Sequence, residues 1–217
     1  MVKQQRAART REALVHAAAV AFDRVGYEAA SLAHVSGSAG ISMGALTFHF
    51  PTKEKLAAEV QLHGARATRA ALDGMVDTCE HPLRTLVDLT LKVARLLDED
   101  VTVRAAARLA RECLPSEMPW TSVWLPIAES LLDRASEDEL QPHADPQALL
   151  ALTTHLVSGT ESYIRRCALV PEQRESAEHQ LARIWQLVLP GIARGRVSPV
   201  APVRRRSSPR QPGPPRP

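Results

Sequence analysis

The segment from Gly40 to Leu56, GISMGALTFHFPTKEKL, combines a short amphipathic helix with side chains that can contact a nucleic acid. Leu46 and Phe50 lie four residues apart and would face the protein core. The opposite face is left to meet base edges in a major groove, and Gly44 would let the backbone approach a phosphate. This outward face consists of Ser42, Met43, Ala45 and Thr47. The predicted chemistry is therefore noncovalent recognition of duplex DNA.

The elements around this segment predict a helix-turn-helix unit. A first helix is predicted from about Arg6 to Val25, because its apolar residues from Leu14 onward have helical spacing, and Gly26 would end it. Ser31 would cap a second, shorter helix, and Gly40 can adopt the positive φ of the turn that follows. Pro51 would end the third helix. Two short helices packed on a longer one place the second short helix in a major groove.

Basic side chains flank this unit and are candidates for phosphate contact. Four of them open the chain, and Lys53 begins a fourth helix whose positive N-terminus also attracts phosphate. For Lys3, Arg6, Arg9 and Arg11, the alternative interpretation is a solvated basic face. His49 could donate to a phosphate or serve in packing. The complete predicted DNA-binding set is Lys3, Arg6, Arg9, Ser31, Ser42, Met43, Gly44, Ala45, Thr47, Phe48, His49 and Lys53.

The remainder of the chain also has helical rather than alternating periodicity, so the predicted fold class is all-α. We expect helices at 53–78, 82–98, 101–114, 120–135 and 146–167, and a last helix after Pro171. Pro126 should kink or shorten its helix. Residues 1–52 would form the DNA-binding domain and residues 53–195 a helical ligand-binding and dimerisation domain. Residues 196–217, rich in arginine and proline, are predicted to be a disordered tail.

Charge is segregated along the chain. Residues 1–69 carry a formal charge of +4, residues 70–193 carry −8, and residues 194–217 carry +7. A basic head on an acidic body is typical of a DNA-binding module joined to one that does not bind DNA. For the basic tail, solvated disorder and non-specific attraction to DNA both remain open.

Composition argues against several other classes of protein. No apolar run approaches the roughly 18 residues of a membrane span, and no secretory leader is recognisable, so we expect a cytoplasmic protein without membrane contact. The three cysteines are far apart in sequence, which predicts neither a disulfide framework nor a zinc site. No hydrolase, metalloprotease or P-loop motif occurs, and Glu59 with His63 is a lone pair. We therefore expect no catalysis and no cofactor.

A longer pattern spans the head, and it resembles the TetR-type repressors. The pattern is Ser31-x3-Val35-x3-Ala39-Gly40-Ile41-Ser42-x-Gly44-x-Leu46-x-x-His49-Phe50-x-x-Lys53-x-x-Leu56. Phe48-His49-Phe50, the basic opening and the tryptophan pair before LLDRA are similar to the γ-butyrolactone autoregulator receptors and their antibiotic-responsive pseudo-receptor relatives. The resemblance implies a two-domain, all-α homodimer that a small ligand releases from DNA. Where such receptors usually present lysine and tyrosine, this chain has Met43 and Thr47, so we expect weaker or altered operator binding.

Two tryptophans indicate where a ligand could bind. Trp120 and Trp124 lie four residues apart on one helical face, in a chain with few aromatic residues. Core filling is one interpretation. The other is a pocket for a small hydrophobic molecule, which the resemblance favours because a tryptophan near Trp124 contacts the ligand in that family. We expect the same cavity to include Leu86, Val93, Arg108, Leu109 and Val157.

The last helix has a wide apolar stripe that predicts a dimer interface. Its members are Leu181, Ile184, Trp185, Val188, Leu189 and Ile192. A twofold dimer would set two recognition helices about 34 Å apart on a palindromic operator, whereas the alternative is additional monomer core. Together these features predict a ligand-responsive transcriptional repressor. The alternative is a ligand-sequestering protein of the same fold that has lost operator binding.

Overall fold

The computed structural model of the chain describes residues 2–76, 79–112, 115–135, 138–167 and 175–194. Across these ranges it has nine helices, and its β-structure is an isolated antiparallel bridge between Leu140 and Ala193. The helices are α1 Val2–Ala29, α2 Leu32–Ala39, α3 Met43–His49, α4 Lys53–Leu72, α5 Pro82–Glu99, α6 Val101–Arg111, α7 Thr121–Ala135, α8 Pro146–Cys167 and α9 Ala177–Ile192. The predicted all-α fold is confirmed.

The head, formed by α1, α2 and α3, follows the predicted turn chemistry. Gly26 has φ 83° and interrupts α1 at the expected place. Ser31 and Ser42 accept hydrogen bonds from the backbone N–H groups of His34 and Ala45, which are orphaned at the starts of α2 and α3. Gly40, with φ 65°, makes the turn between these helices. Local sequence therefore accounts for the helix-turn-helix geometry.

The core of the head extends beyond its own three helices. Leu46 and Phe50 of α3 are buried in it, as expected. The first half of α4 and one face of α6 complete the cluster through Leu56, Ala57, Val60, Ala105 and Leu109. Because α6 lies against both α1 and α4, it connects the head to the body, which we define as α5 to α9.

The body packs around α5, which contacts α7, α8 and α9. Its core includes Trp124 and Trp185, both fully buried. Helix α8 begins at Pro146, as predicted, and Asp145 Oδ1 caps it by accepting the N–H of Gln147 at 3.0 Å. Helix α7 continues through Pro126, which is exposed.

One helix end differs from the prediction. We expected α4 to continue to residue 78, but it ends at Leu72, because Gly74 adopts φ 74° just after Asp73. A positive φ cannot continue a right-handed helix. The predicted end of α6 at residue 114 and the predicted disordered tail at 196–217 lie outside the described residues.

Helices α4 and α6 approach closely at Gly64. A Cβ atom on Gly64 would lie 2.4 Å from Ala106 Cβ and 2.7 Å from the carbonyl oxygen of Thr102. Only a residue without a side chain fits between the two helices, so Gly64 sets their separation.

We expect Gly64→Ala to destabilise the protein by about 1–3 kcal/mol, since the added methyl group must push α4 away from α6. The steric cost must exceed the roughly 1 kcal/mol by which alanine is otherwise more favourable than glycine inside a helix. Urea denaturation measures the change. Gly37→Ala in α2 is the control, because nothing lies within 4 Å of its added Cβ, and it should be neutral or stabilising. A Gly64→Ala protein as stable as the parent would contradict this account of the packing.

Candidate DNA interface and effector pocket

Helix α3 presents an unusually apolar surface. Phe48 is 82% exposed and Met43 is 42% exposed, although both are large hydrophobic side chains. Thr47 is also exposed, but its hydroxyl lies 3.0 Å from the carbonyl oxygen of Met43 and 3.1 Å from that of Gly44. The hydroxyl proton is therefore used within the helix. A thioether, a methyl group and a phenyl ring make up much of what this face offers to a partner.

Gly44 lies on the same surface with open space around it. A Cβ atom there would meet nothing within 4 Å, and φ is not positive. Packing inside the protein does not require glycine at this position, which leaves close approach of an external partner as the predicted reason. Ala45 is half-buried, and Ser42 is exposed but uses its hydroxyl as the cap of α3.

Phe48 and His49 form an edge-to-face pair at the end of α3, with ring centroids 5.4 Å apart and planes at 81°. His49 is half-buried, which leaves both the packing role and the phosphate role open. The imidazole thus contacts one side of the phenyl ring, and most of that ring stays exposed.

The predicted phosphate ligands fall into different environments. Arg6 and Arg9 are exposed on α1, as phosphate contact requires, whereas the side chain of Lys3 lies outside the described set. Ser31 is exposed and caps α2. Lys53 is half-buried, and its Nζ lies 4.3 Å from the ring centroid of Tyr27 and 3.2 Å from the carbonyl oxygen of Glu28. Lys53 thus joins the start of α4 to the end of α1.

Arg11 has a partner within the protein. Its guanidinium donates to Glu59 Oε1 at 2.6 Å and lies 5.1 Å from the ring centroid of Phe50. His63 Nε2 lies 3.0 Å from the same carboxylate oxygen. The hydrogen bond from Arg11 lowers the pKa of Glu59, and this pair braces α1 against α4 beside the end of α3. Arg11 therefore joins α1 to α4 beside the end of α3, and His63 contacts the same carboxylate from one turn further along α4.

A second polar cluster joins the head to α6. The carboxylate of Glu112 accepts the backbone N–H of Tyr27 at 2.9 Å and Arg108 Nε at 2.9 Å. Burial raises the pKa of Glu112, but these donors outweigh it and lower the pKa overall. Arg108 also donates to the carbonyl oxygen of Asp23 at 2.8 Å. The side chain of Arg108 fills the space beside Gly26, where an added Cβ would lie 2.6 Å from its Nη2.

Tyr27 also contacts the start of α4. Its hydroxyl donates to Glu54 Oε1 at 2.8 Å. Burial, followed by the bond to Glu54, raises the pKa of Tyr27 to about 12, so it stays protonated at neutral pH. The last turn of α6 is thus connected through Tyr27 to the residues just after α3.

The two tryptophans differ in how their indole N–H groups are satisfied. Their ring centroids are 5.8 Å apart, and both side chains are buried. Trp120 Nε1 donates to Thr68 Oγ1 on α4 at 2.9 Å. Trp124 Nε1 is buried and finds no hydrogen-bond partner among the described residues. An unpaired buried donor costs about 1–3 kcal/mol, so an acceptor supplied by a ligand would be favoured there.

The other expected pocket residues divide into two groups. Leu86, Val93 and Val157 are buried in the same hydrophobic cluster as the tryptophans. Leu109 belongs instead to the core of the head, and Arg108 to the contact between α1 and α6. The reason is that α6 turns this face toward α1 rather than toward α7, a choice that helical spacing alone does not reveal.

Thr68 and Gln61 are fully buried on α4 and were not among the predicted site residues. Thr68 pairs with Trp120. Gln61 Oε1 finds no partner among the described residues, and Gln61 Nε2 lies 3.5 Å from the carbonyl oxygen of Pro115. The available signal was the position of two polar residues, seven apart, on the inner stripe of an amphipathic helix.

In the part of the chain that the structure describes, no group of three or more His, Cys, Asp or Glu side chains could hold a metal ion. No helix there is both long enough and apolar enough to cross a bilayer.

Comparisons with known proteins agree with this geometry. The family described as "Bacterial regulatory proteins, tetR family" matches residues 14–60. The A-factor receptor protein of Streptomyces griseus is 30% identical over 201 residues, which cover 89% of this chain and 67% of that protein. A γ-butyrolactone receptor (ArpA-like protein) of known structure has a TM-score of 0.72 at 30% identity, covering 87% of this chain and 90% of that one. CprB of Streptomyces coelicolor, solved with its operator, has a TM-score of 0.67 at 29% identity, covering 86% and 90%.

A helix-turn-helix head joined to a helical body defines a DNA-binding transcriptional regulator. The chain belongs to the TetR family of bacterial regulatory proteins, and it is similar to the γ-butyrolactone receptors within that family.

We expect Arg11→Gln to lower the free energy of unfolding at pH 7 by up to about 1 kcal/mol, because Arg11 is partly exposed. The folded pKa of Glu59 lies below its unfolded value of about 4.3, so the stabilisation is present above that pH and is lost as pH falls through the folded pKa. Urea denaturation should therefore show a smaller difference in the free energy of unfolding between the parent and Arg11→Gln at pH 3 than at pH 7. Arg9→Gln, on the exposed face of α1, should change neither value. A gap that is constant with pH would contradict the role of the pair.

Proposed function

We propose that this protein is a ligand-responsive repressor that binds a palindromic operator as a homodimer and is released by a small hydrophobic molecule. One observation carries the proposal: α4 serves both sites. Its first turn holds Lys53 and Glu54 against Tyr27 beside α3, and its Thr68 bonds to the indole of Trp120. A ligand that moves α7 therefore acts on the same helix that orients the head.

The apolar face of α3 indicates what the head would read. Methyl and phenyl groups contact the C5-methyl of thymine, whereas lysine and tyrosine would add a phosphate or base contact. The exposed face of α3 offers methyl and phenyl groups, which belong to Met43, Thr47 and Phe48. We propose an operator preference centred on thymine methyls, with shallow salt dependence and with Arg6 and Arg9 contributing phosphate contacts.

The dimer would form through α8 and α9. Leu187 is 82% exposed, and half-buried apolar side chains lie beside it on α9 and on the neighbouring α8. These are Leu152, Leu156, Ile184, Val188 and Ile192, whereas Leu181, Trp185 and Leu189 of the predicted stripe are buried in the core of the body. An apolar face of this width on two adjacent helices suits a twofold interface between copies of the chain.

The effector would bind near Trp124, where an acceptor such as a lactone carbonyl could take the free indole N–H. Relatives include an A-factor receptor and γ-butyrolactone receptors, which supports a neutral ligand with an oxygen acceptor and an apolar chain. Binding would favour one arrangement of α4, α6 and α7. The hydrogen bond from Tyr27 to Glu112 would then make the head move with the end of α6. The shift in operator affinity then equals the difference in ligand affinity between the two states.

The apolar α3 also favours a second candidate, a ligand-sequestering protein of the same fold that no longer binds an operator. A gel shift with the DNA upstream of the protein's own gene separates the two. The repressor should give a saturable band that Gly44→Asp abolishes, since the added carboxylate would face phosphate. Ligand binding without any operator band would favour sequestration.

We expect Met43→Lys to strengthen operator binding and to steepen the salt dependence by about one counterion, because it adds one phosphate contact. A gel-shift titration over salt concentration measures the slope. Ser130→Lys adds the same charge at an exposed position on α7 and should leave the slope unchanged. Equal steepening in both variants would mean that Met43 does not face DNA.

We expect Trp124→Phe to keep operator binding but to raise the concentration of a synthetic γ-butyrolactone needed for release by about five- to tenfold. The ring is retained, and only the hydrogen bond from the indole N–H is lost. Trp185→Phe is the matched control, since the indole N–H of Trp185 already donates to Thr90 Oγ1 at 2.8 Å. Release at the parental concentration, or an equal change in both variants, would exclude Trp124 from the ligand site.

A further inference from the structure

A cleft of about 890 Å³ opens where the end of α1 meets the body. It is separate from the tryptophan cluster and is lined by parts of α1, α5, α6 and α8. The cleft is rich in positive charge, since its lining includes five arginines: Arg24, Arg104, Arg111, Arg165 and Arg166. The body as a whole is acidic, so this concentration of positive charge runs against the trend of its sequence.

Three of these arginines are held by internal partners. Arg104 donates to Asp23 Oδ2 at 2.9 Å and to the carbonyl oxygens of Leu97 and Asp98, each at 3.0 Å. Arg111 and Arg165 both pair with Glu161, a carboxylate that is buried on α8. These pairs build a fixed wall in which guanidinium groups are already oriented, which reduces the entropy cost of binding an anion.

The other two arginines are available. Arg24 on α1 and Arg166 on α8 are exposed, and no described side chain pairs with either of them. Counting Asp23, Asp98 and Glu161 against the five arginines leaves a formal charge of +2 around the cleft. The charge is therefore matched by a dianion rather than by a neutral molecule.

We propose that this cleft binds the phosphate dianion of a small phosphorylated molecule. Planar guanidinium groups bind phosphate through paired N–H donors, and the hydroxyl of Ser162 in the lining adds a further donor. The cleft volume falls in the range of small-molecule sites and exceeds what a lone phosphate would fill. Among the described residues, no aromatic side chain lines the cleft, so the organic part of the ligand is polar rather than a stacked base.

The position of the site gives such binding a consequence for the head. Arg24 belongs to α1, whereas Arg166 belongs to α8 in the body. A phosphate held between them would tie the two together in the arrangement observed here. The bound molecule would thus stabilise one orientation of the head, independently of any ligand at Trp124.

Isothermal titration calorimetry of the full chain tests the site, with glycerol 3-phosphate and inorganic phosphate as separate probes at constant ionic strength. We expect saturable binding that strengthens between pH 5.5 and pH 7.5, because the second proton of a phosphate ester dissociates near pH 6 while arginine does not titrate. Tighter binding of the ester than of inorganic phosphate supports the proposal. Binding of inorganic phosphate alone would overturn the part that assigns an organic ester.

Arg24→Gln combined with Arg166→Gln should weaken binding by at least about tenfold, since two charge-assisted contacts are lost. Lys92→Gln with Arg69→Gln is the control, as it removes two exposed charges outside the cleft. Circular dichroism should show both double variants folded. The proposal would be overturned if both double variants weakened binding equally or if the parent showed no saturable binding. Displacement of the ester by short non-operator DNA would overturn it as well. The test requires neither operator nor effector, so its failure is distinguishable from failure of the proposed repressor.

Discussion

The close approach of α4 and α6 at Gly64 is the contact on which the rest of the structure depends. With no side chain at Gly64, the backbone of α4 lies almost against Thr102 and Ala106. This allows α6 to reach past α4 and contribute Ala105 and Leu109 to the core of the head. The head and body are therefore one packed unit along α6, and a displacement of α6 cannot leave the head where it was.

Around that contact, hydrogen bonds and ion pairs join the helices of the head to α4 and α6. Glu112, Arg108 and Tyr27 join the end of α6 to the break in α1, while Tyr27, Lys53 and Glu54 join that break to the start of α4. Arg11 and Glu59 brace the other side of the same helices. These bonds have definite donors and acceptors, so they favour discrete arrangements over continuous sliding, as switching between two states requires.

The surface of α3 and the surroundings of Trp124 are both places where the chain departs from local expectation. A large aromatic side chain left in solvent, as Phe48 is, costs solubility unless it has a partner. A buried indole N–H that finds no acceptor among the described residues, as in Trp124, costs stability unless a bound molecule supplies one. In a member of the TetR family, the two departures fall where DNA and an effector are expected to bind. The arginine cleft is a third such place, with charge gathered against the trend of its surroundings.

Much of the fold could be predicted from local sequence. Serine caps, helix-ending glycines and the spacing of Leu46 and Phe50 are short-range signals, and they predicted the three helices of the head and the start of α8. Such signals act over a few residues and need no knowledge of the rest of the chain. The family resemblance rests on the same local residues.

Only the tertiary structure decided which partner each side chain meets. Arg11 resembles a phosphate ligand in sequence but pairs with Glu59, 48 residues away, and Arg108 and Leu109 turn to the head rather than to the tryptophans. The free N–H of Trp124 and the bonded one of Trp120 look alike in sequence, since Thr68 lies 52 residues from Trp120. Periodicity shows which face of a helix is buried, but the identity of the neighbour depends on how helices cross, and that is set by packing across the whole chain.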